Sequence, residues 1–198
     1  MGKTIRNQQI INQKINNQSL TLQQFNKSFS RLTQLASEVK SGDSSNCEGV
    51  AAQYYWKALF GKAFVRDQNA DGINALLNYG YSIIRAMVAR NICAAGLHPA
   101  LGLFHHNQYN ALCLADDLME PLRPWVDSIA YKLHQQDNNI KISVETKMPF
   151  LNLISQTVKL NKKQMPMMIS MHYLMANLKR NFNKESTKLT YPTLQGAA

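Results

Sequence analysis

The stretch LADDLMEPLRP, residues 114–124, packs three acids into one turn and a half of a helix: Asp116, Asp117 and Glu120. Asp116 and Asp117 lie four and three residues before Glu120, so in a helix they share a face with it. Carboxylates grouped this way can hold a divalent cation, although acids at a solvated helix N-terminus would show the same spacing. The apolar neighbours Leu114, Leu118 and Met119 favour a packed helix over a solvated one. Upstream, Glu48 stands in NCEGVAAQYYW (46–56) with no Lys or Arg before Lys57. A partly buried carboxylate without a charge partner is costly, so Glu48 must be protonated or meet a cation. Its spacing from Ser45 also fits a capping box, in which it would only close the start of a helix. Between these segments come His105 and His106, and a neutral imidazole is a good ligand for Mn²⁺ and related ions. A polar turn residue would read the same way.

One pattern imitates a metal site without completing it. Asp67, Asn69, Asp71 and Gly72 begin like an EF-hand loop, but its twelfth position is Asn78 where calcium needs a bidentate Glu. A plain turn with Asp71 capping the next helix is expected instead. The sequence has no glycine-rich phosphate loop and no serine-nucleophile elbow.

The charge surrounding these acids narrows their role. The 198 residues carry 22 Lys and Arg against 12 Asp and Glu, a formal net charge of +10. Residues 1–40 sum to +5, residues 159–198 to +6 and the middle to −1. Such a chain attracts a polyanion, yet carboxylates in its centre would repel one unless a cation sits among them. That is the charge logic of a metal-dependent nuclease. Lys162, Lys163, Lys179 and Arg180 in the basic C-terminal flank are the candidates for gripping phosphates without reading sequence.

The elements that must hold these residues read as helices. Apolar residues recur at steps of three and four, and no alternating strand of useful length appears, so the fold class is all-α in a single domain. Segment 4–16 is polar. From Thr21 a helix should carry Leu22, Phe25, Phe29, Leu32, Leu35 and Val39 on one stripe up to the break SGDSSN (41–46). Helices are expected near 47–60, 71–95, from about Ala111 with a break at Pro121 and Pro124, near 144–158, and near 165–182. The methionines at 168, 171 and 175 should be core filler. Residues 1–183 would form the helical domain, with 184–198 an irregular tail.

Three dispersed cysteines, Cys47, Cys93 and Cys113, form no C-x-x-C pair, which argues against a disulfide framework or a zinc site and fits a reducing cytoplasm. Arg85 and Arg90 break the apolar run 73–97, so a membrane span is not expected.

Taken together, GDSSNCEGVAAQYYW (42–56) and the segment 73–127, with NALLNYGY, GLHPALG and DLMEPLRP in this order, resemble the CRISPR-associated integrases of spacer acquisition, Cas one, most closely their type II forms. The resemblance covers most of residues 5–135. It implies a helical catalytic domain whose Mg²⁺ or Mn²⁺ is held by Glu48, His105 and Glu120, with Asp117 close by to orient a ligand. It implies transesterification of prespacer 3′-hydroxyl ends onto the repeat in double-stranded DNA, a homodimer, and the small adaptation partner Cas two. Relatives begin with a β-rich domain of about a hundred residues that has no counterpart here, so a truncated or separately encoded catalytic part is expected. A stand-alone structure-specific metal-dependent nuclease would use the same three ligands. A non-catalytic DNA-binding or assembly module would need only the basic surface.

Overall fold

The computed structural model describes residues 2–185 and 188–194. Its helices are α1 (Gly2–Gln24), α2 (Ser30–Glu38), α3 (Cys47–Phe60), α4 (Ile73–Ala94), α5 (Cys113–Met119), α6 (Arg123–Gln136), α7 (Val144–Asn152) and α8 (Met167–Phe182). A 3-10 turn, Glu120–Leu122, joins α5 to α6, where Pro121 and Pro124 were expected to break the helix. Helices thus build the body of the chain, as its three- and four-residue periodicity predicts.

Helix α4 is the central strut. Its Leu76, Leu77, Ile84, Val88 and Ile92 are completely buried, and α5, α6, α7 and α8 pack around it. Gly80 makes that crowding possible: a Cβ there would meet Val126 and would stand 2.6 Å from Phe150 Cδ1. A second core lies between α1, α2 and α3, built on Ile11, Ile15, Leu22, Leu32, Ala51 and Tyr55. Met171 and Met175 are fully buried in the main core, with Met168 packed partly against it.

The first 40 residues differ from expectation. The polar segment 4–16 and the residues after it form one continuous helix, and the chain turns at Asn26, whose φ is 53°. Phe29 therefore leaves the stripe that Leu32, Leu35 and Val39 keep, while Phe25, at the turn, still packs partly against their core. Asn7, Asn17, Gln18, Ser19 and Thr21 of α1 are buried rather than solvated. Asn17 and Thr21 are buried, and they donate to the carbonyls of Pro121 (2.6 Å) and Pro124 (3.4 Å). Buried amides and hydroxyls that find carbonyl acceptors stitch α1 to the 3-10 turn and to the first turn of α6, which is how an Asn/Gln-rich helix becomes an interior one.

Three short strands also escaped the periodicity. The helix expected over 144–158 stops at Asn152, and β1 (Thr157–Leu160) and β2 (Lys163–Pro166) form a hairpin about Asn161, at φ 55°. Four-residue strands are too short for a period of two to stand out from helical spacing. In the stretch expected to be irregular, Leu189 and Tyr191 are buried in the main core and β3 (Thr193–Leu194) pairs antiparallel with β1. Residues 186–187 and 195–198 of that stretch lie outside the described residues. No helix among the described residues is long and apolar enough to cross a membrane.

Candidate active site

Glu48 lies in the first turn of α3, which is capped by neither Ser45 nor its own carboxylate. Both oxygens of Asp43 do that work, accepting from the backbone N–H of Cys47 (2.8 Å) and Glu48 (3.0 Å). The Glu48 side chain is therefore released from capping and turns toward α1. There Lys14 Nζ donates to Glu48 Oε1 at 2.6 Å and stands 2.6 Å from Glu120 Oε2. Two carboxylates that are remote along the chain converge on one cation.

Glu120 opens the 3-10 turn, and only 8% of its surface is exposed. Its other oxygen pairs with Arg123 Nε at 2.8 Å, three residues on. Neither cation meets it with hydrogen-bond angles, so Oε2 is buried and compensated by charge alone. Burial works to raise its pKa, but the charges of Lys14 and Arg123 outweigh it and hold the carboxyl below the usual range. At Lys14, burial disfavours the ammonium, and Glu120 and Glu48 outweigh that in turn, so its pKa rises.

The two aspartates of the same turn and a half have different tasks. Asp117 is 1% exposed and collects the loop before α5 around itself. It accepts from the backbone N–H of Leu103 (2.6 Å), Phe104 (2.9 Å) and His105 (3.1 Å), and His105 Nδ1 donates to its Oδ1 at 2.5 Å. That bond fixes the imidazole and, in the neutral ring, leaves the lone pair on Nε2, the usual arrangement behind a ligating histidine. Gly102 permits the wrap, since a Cβ there would run into the His105 carbonyl and stand 3.1 Å from Asp117 Oδ2. Asp116 instead lines the open cleft beside Arg85, bonded to that arginine at 2.6 and 2.9 Å and to Asn110 at 2.7 Å. Burial pushes the Asp116 carboxyl up, yet the hydrogen bonds of Arg85 and Asn110 keep it below its ordinary value.

His105 and Glu120 line one open cleft with Arg66, Tyr81, Arg85 and Arg123. Arg66 has only neutral hydrogen-bond partners, donating to Asn74 Oδ1 (2.9 Å), Asn78 Oδ1 (2.5 Å) and the Asp67 carbonyl (2.9 Å), and it lies 5.5 Å from the Tyr81 ring centroid. The EF-hand look-alike is thus the turn that orients this arginine. Asp71 caps nothing there: α4 starts from Gly72 without a side-chain cap.

The convergence of Glu48, His105 and Glu120 is incomplete as the side chains stand. Glu48 and Glu120 share Lys14, and His105 shares the cleft with Glu120. Among the described residues no three His, Cys, Asp or Glu side chains are gathered closely enough to hold one ion. The donor chemistry nonetheless suits a divalent cation, because Glu120 Oε2 is buried with no directed partner and Glu48 reaches the same point. His106, the other imidazole of the pair, lies in an apolar pocket with Leu97, Leu101 and Phe182.

The proposed phosphate grips lie elsewhere. Lys162 and Lys163 are exposed at the β1–β2 hairpin, and Lys179 and Arg180 are exposed in the last turn of α8, where Lys179 donates to the Ala95 carbonyl. None of the four lines the cleft.

Several site residues were not singled out from the sequence. Arg123 stood three residues from Glu120 in plain view, and Arg85 was an arginine inside an apolar helix that had to have a partner. Tyr191 is buried with its hydroxyl unpaired, and burial with the charges of Asp117 and Glu120 pushes its pKa up. Nothing in local spacing marked Lys14 or Tyr191.

The family model described as CRISPR associated protein Cas1 matches residues 2–159. A CRISPR-associated endonuclease Cas1 of Neisseria meningitidis serogroup C (strain 8013) is 47% identical over 131 residues, covering 65% of this chain and 43% of the relative. The endonuclease named Cas1 1 of Francisella tularensis subsp. novicida (strain U112) is 34% identical over 169 residues, covering 74% and 52%. The chain therefore spans about half the length of these relatives. Among solved structures, a CAS1 protein from Thermotoga maritima superposes with a TM-score of 0.77 at 18% identity, covering 94% of this chain and 67% of that one. A casposase bound to integration product gives 0.74 at 23%, covering 94% and 62%. At such identities these two show the shared fold. With the family model spanning most of its length, the chain belongs to the CRISPR associated protein Cas1 family.

Proposed function

We propose that this chain is the catalytic helical part of a CRISPR adaptation integrase, which joins the 3′-hydroxyl ends of a prespacer to the edge of a repeat by transesterification. The observation that carries this reading is the meeting of Glu48 and Glu120 around one cation position beside His105. In this reading those three side chains would hold a Mg²⁺ or Mn²⁺ ion. Bound there, the ion would polarise the scissile phosphodiester and lower the pKa of the attacking hydroxyl.

The remaining steps belong to the protein. Asp117 keeps the His105 ring turned so that Nε2 is free to ligate. Arg66, whose hydrogen-bond partners are all neutral, keeps its full charge for a phosphate at the cleft mouth, and its amide tethers limit the entropy lost on binding. Arg123 balances Glu120. Lys162, Lys163, Lys179 and Arg180 would steer the DNA flanks. In the assembled state the chain would act in the cytoplasm on double-stranded DNA as a homodimer with the small partner Cas two, as family membership suggests.

The deciding experiment offers the chain, with Mn²⁺, a labelled DNA carrying a free 3′-hydroxyl together with a repeat-containing target. Joined products of increased length support the integrase reading. Shortened products alone would replace it with a stand-alone nuclease using water, and DNA binding with neither product would leave an assembly module.

The orienting role of Asp117 has its own consequence. Asp117→Asn loses a charged acceptor for three backbone N–H groups and His105, so Mn²⁺ affinity should fall about 10- to 100-fold. Titration of Mn²⁺ by electron paramagnetic resonance reads the loss, and an unchanged affinity would remove Asp117 from the site.

A further inference from the structure

We infer that Lys14 is a built-in counter-ion of the metal site, holding Glu48 and Glu120 together until a divalent cation displaces it. The inference rests on the reading of those two carboxylates as metal ligands. It goes beyond that reading because it assigns a role to a residue of α1 outside the three-ligand set.

The geometry is direct. One ammonium stands 2.6 Å from Glu48 Oε1 and 2.6 Å from Glu120 Oε2, while its own side chain is 14% exposed. An ion such as Mg²⁺ binds carboxylate oxygens at about 2.1 Å. If ligated by the same two oxygens, it would fall within about 4 Å of Nζ, where a doubly charged cation and an ammonium repel. Ligation through those two oxygens therefore competes with the ammonium for the same place.

Lys14 is equipped to leave. Its flexible four-carbon stem carries a point charge without fixed fork geometry, unlike the guanidinium of Arg123 on the other face of Glu120. Its contact with Glu120 has no hydrogen-bond angles, so only the bond to Glu48 is directed. The backbone of α1, by contrast, is anchored to the 3-10 turn by Asn17 and to the start of α6 by Thr21. Exchange can therefore move the side chain while the helix stays. In the metal-free state Lys14 prevents two carboxylates from being pushed apart by their own repulsion, which keeps the ligands in place for the incoming ion.

The test measures Mn²⁺ affinity of the full chain by electron paramagnetic resonance, with thermal melting in chelator and in Mn²⁺. Lys14→Met removes the competitor, and Mn²⁺ should bind about tenfold tighter, with a larger Mn²⁺-induced rise in melting temperature than the wild type shows. Lys14→Arg offers both carboxylates a stronger, forked partner and should weaken Mn²⁺ binding. Equal or weaker binding by Lys14→Met, or tighter binding by Lys14→Arg, would overturn the counter-ion role. Should Lys14→Met not fold, the arginine variant decides alone. A wild-type chain that ignores Mn²⁺, or a Glu120→Gln chain that binds it equally well, would instead refute the metal-site reading itself, and the counter-ion role with it.

Discussion

Glu120→Gln is expected to lower strand transfer at least about 10³-fold while DNA affinity stays within about twofold of the wild type. Gln keeps the volume and one acceptor but removes the charge that draws Lys14 and, in the proposed reading, a metal ion to this point. The proposed phosphate contacts Arg66, Lys162 and Lys179 are untouched, so fluorescence anisotropy with labelled duplex should report nearly unchanged binding. Undiminished strand transfer would mean that Glu120 is a structural acid.

The same substitution carries a structural cost. It leaves Lys14 and Arg123 buried beside a neutral amide, and breaking a buried charge network typically costs about 3 kcal/mol. The two effects are separable because the stability loss appears in melting curves without metal or DNA. The sign of the pH dependence follows from the depressed pKa. The stabilisation from ionised Glu120 is complete above the ordinary carboxylate pKa, and it is lost as pH falls through the lower folded value. The glutamine variant should lack that acid-side loss.

The largest effect on folding is expected at Asp127, on α6. Its carboxylate is 1% exposed and accepts from two tyrosine hydroxyls, Tyr55 at 3.0 Å and Tyr81 at a very short contact. Tyr55 belongs to the core of α1 to α3 and Tyr81 to the core around α4, so this one acid ties the two halves together. Tyr81 also lies under the Arg123 guanidinium, 4.7 Å from ring centroid to Cζ, which links the tie to Glu120. Asp127→Ala strands two buried hydroxyls and opens a cavity, for an expected loss of about 3–5 kcal/mol by denaturant unfolding. A loss under about 1 kcal/mol would show that the two cores hold together without it.

Burial pushes the Asp127 carboxyl up to about 7, against the opposing pull of the two tyrosines and Arg123. A raised carboxyl favours the folded state while protonated. Its contribution is complete below the unfolded value near 3.8 and is lost as pH rises through about 7. Asp127→Asn, a permanently neutral analogue, should therefore flatten the stability profile between about pH 4 and 7.

Much of this protein was legible before its structure. Helical periodicity is a local property, so α3, α4 and α8 follow from apolar spacing, and the break between α5 and α6 follows from two prolines. The acids of DLMEPLRP were visible for the same reason, as was the need of Glu48 for a cation. Local spacing could not divide the labour among those acids. In a continuous helix Asp116, Asp117 and Glu120 would share a face, yet a 3-10 turn starting at Glu120 and a loop wrapped over Asp117 send them to three different partners.

What the tertiary structure alone decided is which remote groups meet. Lys14 lies 34 residues from Glu48 in a helix whose polar composition suggests solvent. It becomes the site's cation because Asn17 and Thr21 find backbone acceptors on the 3-10 turn and the start of α6 and draw α1 inside. Asp127 likewise became a buried tie only through two tyrosines 72 and 46 residues away. Periodicity and capping report on neighbours within a few residues, whereas burial and charge pairing depend on contacts across the whole chain. The chemical types of the site were therefore written in the sequence, and their neutralisation, orientation and access were set by packing.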